Sequence, residues 1–149
     1  MSTELSLATF MESRGYARIS LSRNRVGQFE VGALINGREA RMILDAGASG
    51  AVMDQTSARD RSIAIENVTR SPGPGAPAQT VTRCTLEKLD VGPLAFSGVE
   101  AQIADLAALN QVLVERGHDP VDGVLGGDIL HGRGAVIDFS SSTLFLKDA

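Results

Sequence analysis

Asp45 is the residue best placed to do chemistry in this 149-residue chain. It ends the hydrophobic run Met42-Ile43-Leu44 and is followed by Ala46-Gly47-Ala48-Ser49-Gly50. Small residues after a carboxylate let the backbone turn sharply and let a second chain segment approach closely. A carboxylate held this way can serve as a general acid or base toward water. Taken alone, the triplet Asp-Ala-Gly is ordinary, because many aspartates end a strand and cap their own turn. Other chemistries have little to work with. The single cysteine, Cys84, excludes an intrachain disulfide and a zinc site of clustered thiolates. His118 and His131 lack a paired spacing, so no metal site and no cofactor are expected. Gly126-Gly127 beside Asp128 matches neither phosphate-binding glycine motif. A net charge of −4, a pI near 5.1 and only five Phe, one Tyr and no Trp argue against a nucleic-acid partner.

The elements that must position Asp45 read as short strands. Residues 3–14 have helical spacing of Leu7, Phe10 and Met11, with Gly15 as the stop. Ala17, Ile19 and Leu21 then alternate with polar residues, as do Phe29, Val31, Ala33 and Ile35 with their neighbours. Asn36-Gly37 supplies a two-residue hairpin turn, and the return strand, 39–44, runs straight into Asp45. Asp54 reads as the cap of a brief helix near 55–60. The segment 71–78, with three prolines and two glycines, is a loop or an exposed hairpin tip flanked by strands at 63–68 and 81–91. Further strands are expected at 94–96 and 99–103, with Gly98 between them, and a helix from 105 or 106 to 116 ended by Gly117. Closing strands follow at 134–139 and 143–146. Many short strands with turns between them predict a mostly-β barrel or sandwich in one domain. No apolar run reaches the ~18 residues of a spanning helix. No targeting segment is recognisable, so a cytoplasmic protein without membrane attachment is the expectation.

The segment 37–53, centred on Ile43-Leu44-Asp45-Ala46-Gly47-Ala48-Ser49, resembles the active-site strand and loop of retropepsin-like aspartic proteases. A second marker of that family, two hydrophobics and a Gly before a short helix, is matched about 75–80 residues later by Val124-Leu125-Gly126. The tail Ala135-Val136-Ile137-Asp138-Phe139 and Leu144-Phe145-Leu146 is similar to its closing strands. The resemblance spans about residues 16–147 and is closest to bacterial single-domain members. It implies a mostly-β fold, a small closed barrel with one or two short helices, preceded by a helical extension over residues 1–15. It also implies that residues 16–149 form the protease domain. It assigns Asp45 as catalytic, Ala46, Gly47, Ala48 and Ser49 as the active-site loop, and Val124, Leu125 and Gly126 as its support. Gly73, Pro74, Gly75 and Ala76 fall where the family places a flap over substrate.

Carboxylate-driven peptide hydrolysis needs one ionised Asp to activate water and one protonated Asp to polarise the carbonyl. An isolated aspartate is ionised at neutral pH and supplies no proton. Two carboxylates ~4 Å apart repel by about 4 kcal/mol at an effective dielectric near 20, which makes them share one proton. The chain holds a single such loop, so the resemblance implies a homodimer with one Asp45 from each copy acting on a polypeptide substrate. Asp54 reads as a helix cap and Asp138 as a strand-end or turn residue. Cys84, in an expected strand between Arg83 and Thr85, reads as a structural thiol, and His118 and His131 as surface or helix-end charges. One departure stands out: the family carries Thr or Ser where this chain has Ala46, and that hydroxyl links the two loops across the twofold. Its absence leaves a pseudoprotease that binds extended peptides as an alternative to the enzyme, and an unrelated small β-barrel binder as a third possibility.

Overall fold

The computed structural model describes residues 6–71 and 73–148. It begins with helix α1 (Leu7–Ser13), then strands β1 (Tyr16–Ser20), β2 (Ser22–Arg23), β3 (Phe29–Ile35), β4 (Arg38–Leu44) and β5 (Ala51–Asp54). Helix α2 (Gln55–Asp60) leads to β6 (Ile65–Arg70), β7 (Gln79–Val91) and β8 (Leu94–Ala104). Helix α3 (Ala107–Glu115), β9 (Gly123–Leu125), helix α4 (Gly127–Gly132), β10 (Val136–Asp138) and β11 (Thr143–Lys147) complete it.

The strands close on themselves. β3 pairs with β4, β4 with β9, β9 with β5, β5 with β8, β8 with β7, and β7 returns to β3, giving a six-stranded barrel. The Asn36-Gly37 turn contributes twice to this closure. Its φ angles of 50° and 82° are those of a type I′ turn, which matches the twist of the strands it joins. Its first residue then bonds across the seam: Asn36 donates its backbone N–H to the Lys88 carbonyl at 2.8 Å and accepts the Lys88 N–H on Oδ1 at 3.0 Å. Val31, Ile35, Met42, Met53, Leu86, Leu89 and Leu125 fill the interior. A second sheet, β1-β11-β10, lies against the barrel and adds Ile19, Leu144 and Leu146 to the same apolar cluster.

The mostly-β closed barrel is thus the architecture that the resemblance implied, with differences in detail. Three short helices, not one or two, accompany α1. The N-terminal helix is shorter than 3–14; Ser6 caps it by accepting the Thr9 N–H on its hydroxyl, and residues 1–5 lie outside those described. The strands expected at 94–96 and 99–103 are one strand, because Gly98 takes φ 64° while the β7–β8 register continues on both sides of it. The Pro/Gly segment is a hairpin tip, since β6 and β7 pair from Ile65↔Cys84 to Arg70↔Gln79. Helix α3 starts at Ala107, whose N–H is taken by Asp105 Oδ1, and stops before Gly117 at φ 76°.

The tightest part of the barrel is β9, three residues long and bonded on both sides. It runs parallel to β4 (Met42↔Gly123, Ile43↔Val124, Leu44↔Leu125) and antiparallel to β5 (Val52↔Val124, Met53↔Gly123). A Cβ on Gly123 would lie 2.2 Å from the Val52 carbonyl oxygen, which is backbone and cannot swing aside. Gly123→Ala is expected to cost about 3 kcal/mol and to lower the melting temperature by roughly 6–12 °C. Cys84 provides an internal readout: it is buried in β7, and burial pushes its thiol up to about 11. A thiol reagent should leave native protein unmodified at pH 8 and label Gly123→Ala sooner on warming; equal labelling onset in both proteins would contradict the steric account.

Candidate active site

Asp45 sits at the end of β4, exposed, in a loop organised by its own backbone and side chain. The Asp45 N–H donates to the Leu125 carbonyl at 3.1 Å, extending the β4–β9 ladder by one bond. The Gly47 N–H donates to Asp45 Oδ1 at 2.9 Å, and the Ala48 N–H to the Asp45 carbonyl at 3.2 Å. One carboxylate oxygen is therefore fixed by the turn, and Oδ2 has no hydrogen-bond partner among the described residues. Ala46, Gly47 and Ser49 are exposed around it.

The segment expected to brace this loop does contact it. Gly127 donates its N–H to the Ala48 carbonyl at 2.6 Å. A Cβ on Gly126 would stand 2.3 Å from the Gly50 carbonyl oxygen and 3.1 Å from that of Ala48. A Cβ on Gly127 would stand 3.0 Å from the Ala48 oxygen. The loop and the 124–127 segment thus meet backbone to backbone, at a separation that requires glycine at position 126. Val124 and Leu125 supply the strand that carries the segment there, with Leu125 fully buried.

The hairpin tip has its own local order. Gly73, Pro74, Gly75 and Ala76 form a turn in which the Ala76 N–H donates to the Gly73 carbonyl at 3.2 Å and Gly75 takes φ 80°. Proline second and a positive-φ glycine third are the requirements of a type II turn. Below the tip, Arg70, Arg83, Glu66 and Glu100 form a chain of ion pairs across β6, β7 and β8. The hydrogen bond from Arg83 is the main reason the Glu100 carboxyl is held below its ordinary range, and the same bond pushes Arg83 up. Because the folded-state value is lowered, this contribution is present at neutral pH and fades as the pH falls through that value.

Two polar residues that no local motif announces hold the surroundings. Asp122, just before β9, accepts the Arg41 N–H at 2.8 Å and the Ser57 hydroxyl at 2.7 Å, and Arg61 lies 3.3 Å away. Its own carbonyl accepts the Asp54 N–H at 2.8 Å. The second is Glu30, fully buried on β3, which accepts from Asn24 Nδ2 at 2.7 Å and from Arg41 at 3.3 Å. His118 Nε2 stands 3.7 Å from it, so that histidine faces a buried carboxylate and has no free surface role. Asp54 is the helix cap its position suggested, taking the Ser57 N–H at 3.1 Å and also the Leu106 N–H at 2.9 Å. Asp138 ends β10 and caps its turn through the Ser140 N–H. No group of three metal-ligating side chains occurs among the described residues. Asp122→Ala orphans a backbone N–H and a hydroxyl together, so it is expected to cost about 2–4 kcal/mol in a denaturant melt; a loss under 1 kcal/mol would show that water replaces the carboxylate.

Comparison with known proteins identifies the family and the fold. The profile of the family described as "Aspartyl protease" matches residues 31–129, a span running from β3 through the start of α4. No curated protein matches the chain. Among solved structures, a retropepsin-like aspartic protease from Rickettsia conorii is similar at a TM-score of 0.58 and 20% identity, covering 88% of this chain and 90% of its own. The retroviral protease-like domain of Ddi1 from Leishmania major is similar at 0.50 and 12%, covering 82% and 90%. At these identities the two structures speak for the fold, and the profile, which spans more than half of the sequence and includes Asp45, speaks for descent: the chain belongs to the aspartyl protease family.

Proposed function

We propose that this protein is an aspartic endopeptidase that works as a homodimer. The observation that carries the reading is one exposed Asp45 on a glycine-bearing loop braced by Leu125 and Gly127, in a family member with one such loop per chain. Two copies would bring two Asp45 carboxylates together, and their repulsion would leave one proton shared between them. The ionised partner would take a proton from water as it attacks the peptide carbonyl. The protonated partner would donate to the carbonyl oxygen and later assist departure of the amine. The turn at Gly73–Ala76, at the end of a long two-stranded arm, would lie over the cleft as a flap, excluding water and offering backbone bonds to an extended peptide.

Ala46 favours a second reading. Without a hydroxyl at this position the two loops lose a mutual hydrogen bond, at about 1–3 kcal/mol per site. The result would be a dimer that captures extended peptides and cuts slowly or not at all.

Sedimentation should show dimers at micromolar concentration; a monomer throughout would remove the enzyme reading. Turnover of a peptide library by three proteins compared side by side separates the rest. Asp45→Asn should lower cleavage by about 10³-fold, and Ala46→Thr should raise it about tenfold by restoring the cross-loop bond. Peptide capture without turnover, unchanged by Asp45→Asn, would select the binding module.

A further inference from the structure

A cavity of about 390 Å³ opens beside the loop that carries Asp45, three residues beyond the carboxylate. It is lined by the chain from Ala48 to Val52, by Glu100 and Gln102 of the strand β8 that pairs with β5, and by Arg70 and Asp128. The volume is at the small end for a ligand pocket and suits one side chain of a longer molecule.

The charges in it are not equivalent. Arg70 pairs with Glu100, which also takes Arg83, and Arg83 in turn takes Glu66, so these four neutralise one another. Asp128 has no cationic partner among the described residues. Its Oδ1 accepts the N–H of Ile129 at 2.8 Å, within its own helix, and its Oδ2 accepts nothing there. Gly50 keeps that oxygen open on the loop side, since even a Cβ there would only reach to 4.0 Å from Oδ2. The cavity thus joins a wall of small residues (Ala48, Gly50, Ala51 and Val52) to one uncompensated carboxylate. An aliphatic stem ending in a positive charge is the side chain that satisfies both parts.

We propose that this cavity receives a lysine or arginine side chain of the bound polypeptide, with Asp128 as its counter-ion. The proposal rests on the loop being part of a peptide cleft, as set out above, and it makes the protein selective for basic segments at one position near the scissile bond. Acidic side chains at that position are disfavoured by the same carboxylate.

Binding and cleavage separate this from the enzymatic reading. The full chain carrying Asp45→Asn is titrated with a fluorescent set of extended peptides in which each position in turn is Lys, Leu or Glu. At one position Lys should bind about fivefold tighter than Leu, as an exposed ion pair allows, and Glu more weakly than either. The preference should shrink in 0.5 M salt. Adding Asp128→Lys should invert it toward Glu, a gain that a damaged fold cannot imitate. No preference at any position, no measurable binding, or a Lys preference surviving Asp128→Lys would each overturn the proposal. Wild-type cleavage of the same set addresses the other question: basic-selective capture without cleavage keeps the pocket and discards the endopeptidase, whereas cleavage indifferent to charge does the reverse.

Discussion

Backbone meets backbone where the 123–127 segment passes between β4, β5 and the loop after β4, and the rest of the molecule is arranged around that contact. At Gly123 and Gly126 the space a side chain would take is already held by the carbonyl oxygens of Val52 and Gly50, and at Gly127 the Ala48 oxygen leaves a Cβ only 3.0 Å. Closeness allows β9 to bond to two strands at once and to place the Leu125 carbonyl under Asp45. The position of the carboxylate is therefore set by the main-chain bond from Asp45 to a buried strand together with the bond that its Oδ1 accepts from the Gly47 N–H. Around this seam, Asp122 joins β4, β5 and α2, so the frame is tied by charge on one side and by close approach on the other.

Signals in the sequence are legible where the physics is local. Asn36-Gly37 specifies a type I′ turn because both residues accept positive φ, and Asp54 specifies a cap because its side chain reaches an N–H three residues on. The loop at Asp45 was legible for the same reason: a hydrophobic strand must end where a carboxylate and five small residues begin. Long-range features were not legible. Closure of the barrel depends on β3 meeting β7, which no periodicity announces. Glu30 sits in an alternating strand at a position that the pattern assigns to solvent, yet it is buried because Asn24, Arg41 and His118 arrive from three other segments. Gly123 and Gly126 carry no local signal of what they touch. Their role as contact points emerges only when the partner carbonyls, some 70 residues earlier, are known.

Under the proposed function, the carboxylate of a single chain is chemically incomplete. One oxygen of Asp45 is occupied by the Gly47 N–H, and the other is free of partners among the described residues. Under the reading proposed here, the second copy adds the charge that turns an ordinary aspartate into one of a proton-sharing pair. The arm formed by β6 and β7 contributes differently. Its tip is a turn that proline and glycine shape without help from neighbours, and its base is anchored by alternating charges.

A frame built on missing side chains also directs how such a protein can change over generations. A Cβ at Gly123 or Gly126 would lie 2.2 or 2.3 Å from a backbone oxygen, so substitutions at those two positions are losses. Ala46 is exposed in the single chain, and its identity does not enter the bonds that hold the loop. Under the proposed function, the chemistry could therefore change at that one position while the bonds that hold the loop stay the same. Active and silent versions of this domain would then be separated by single substitutions on a common backbone, with no refolding between them.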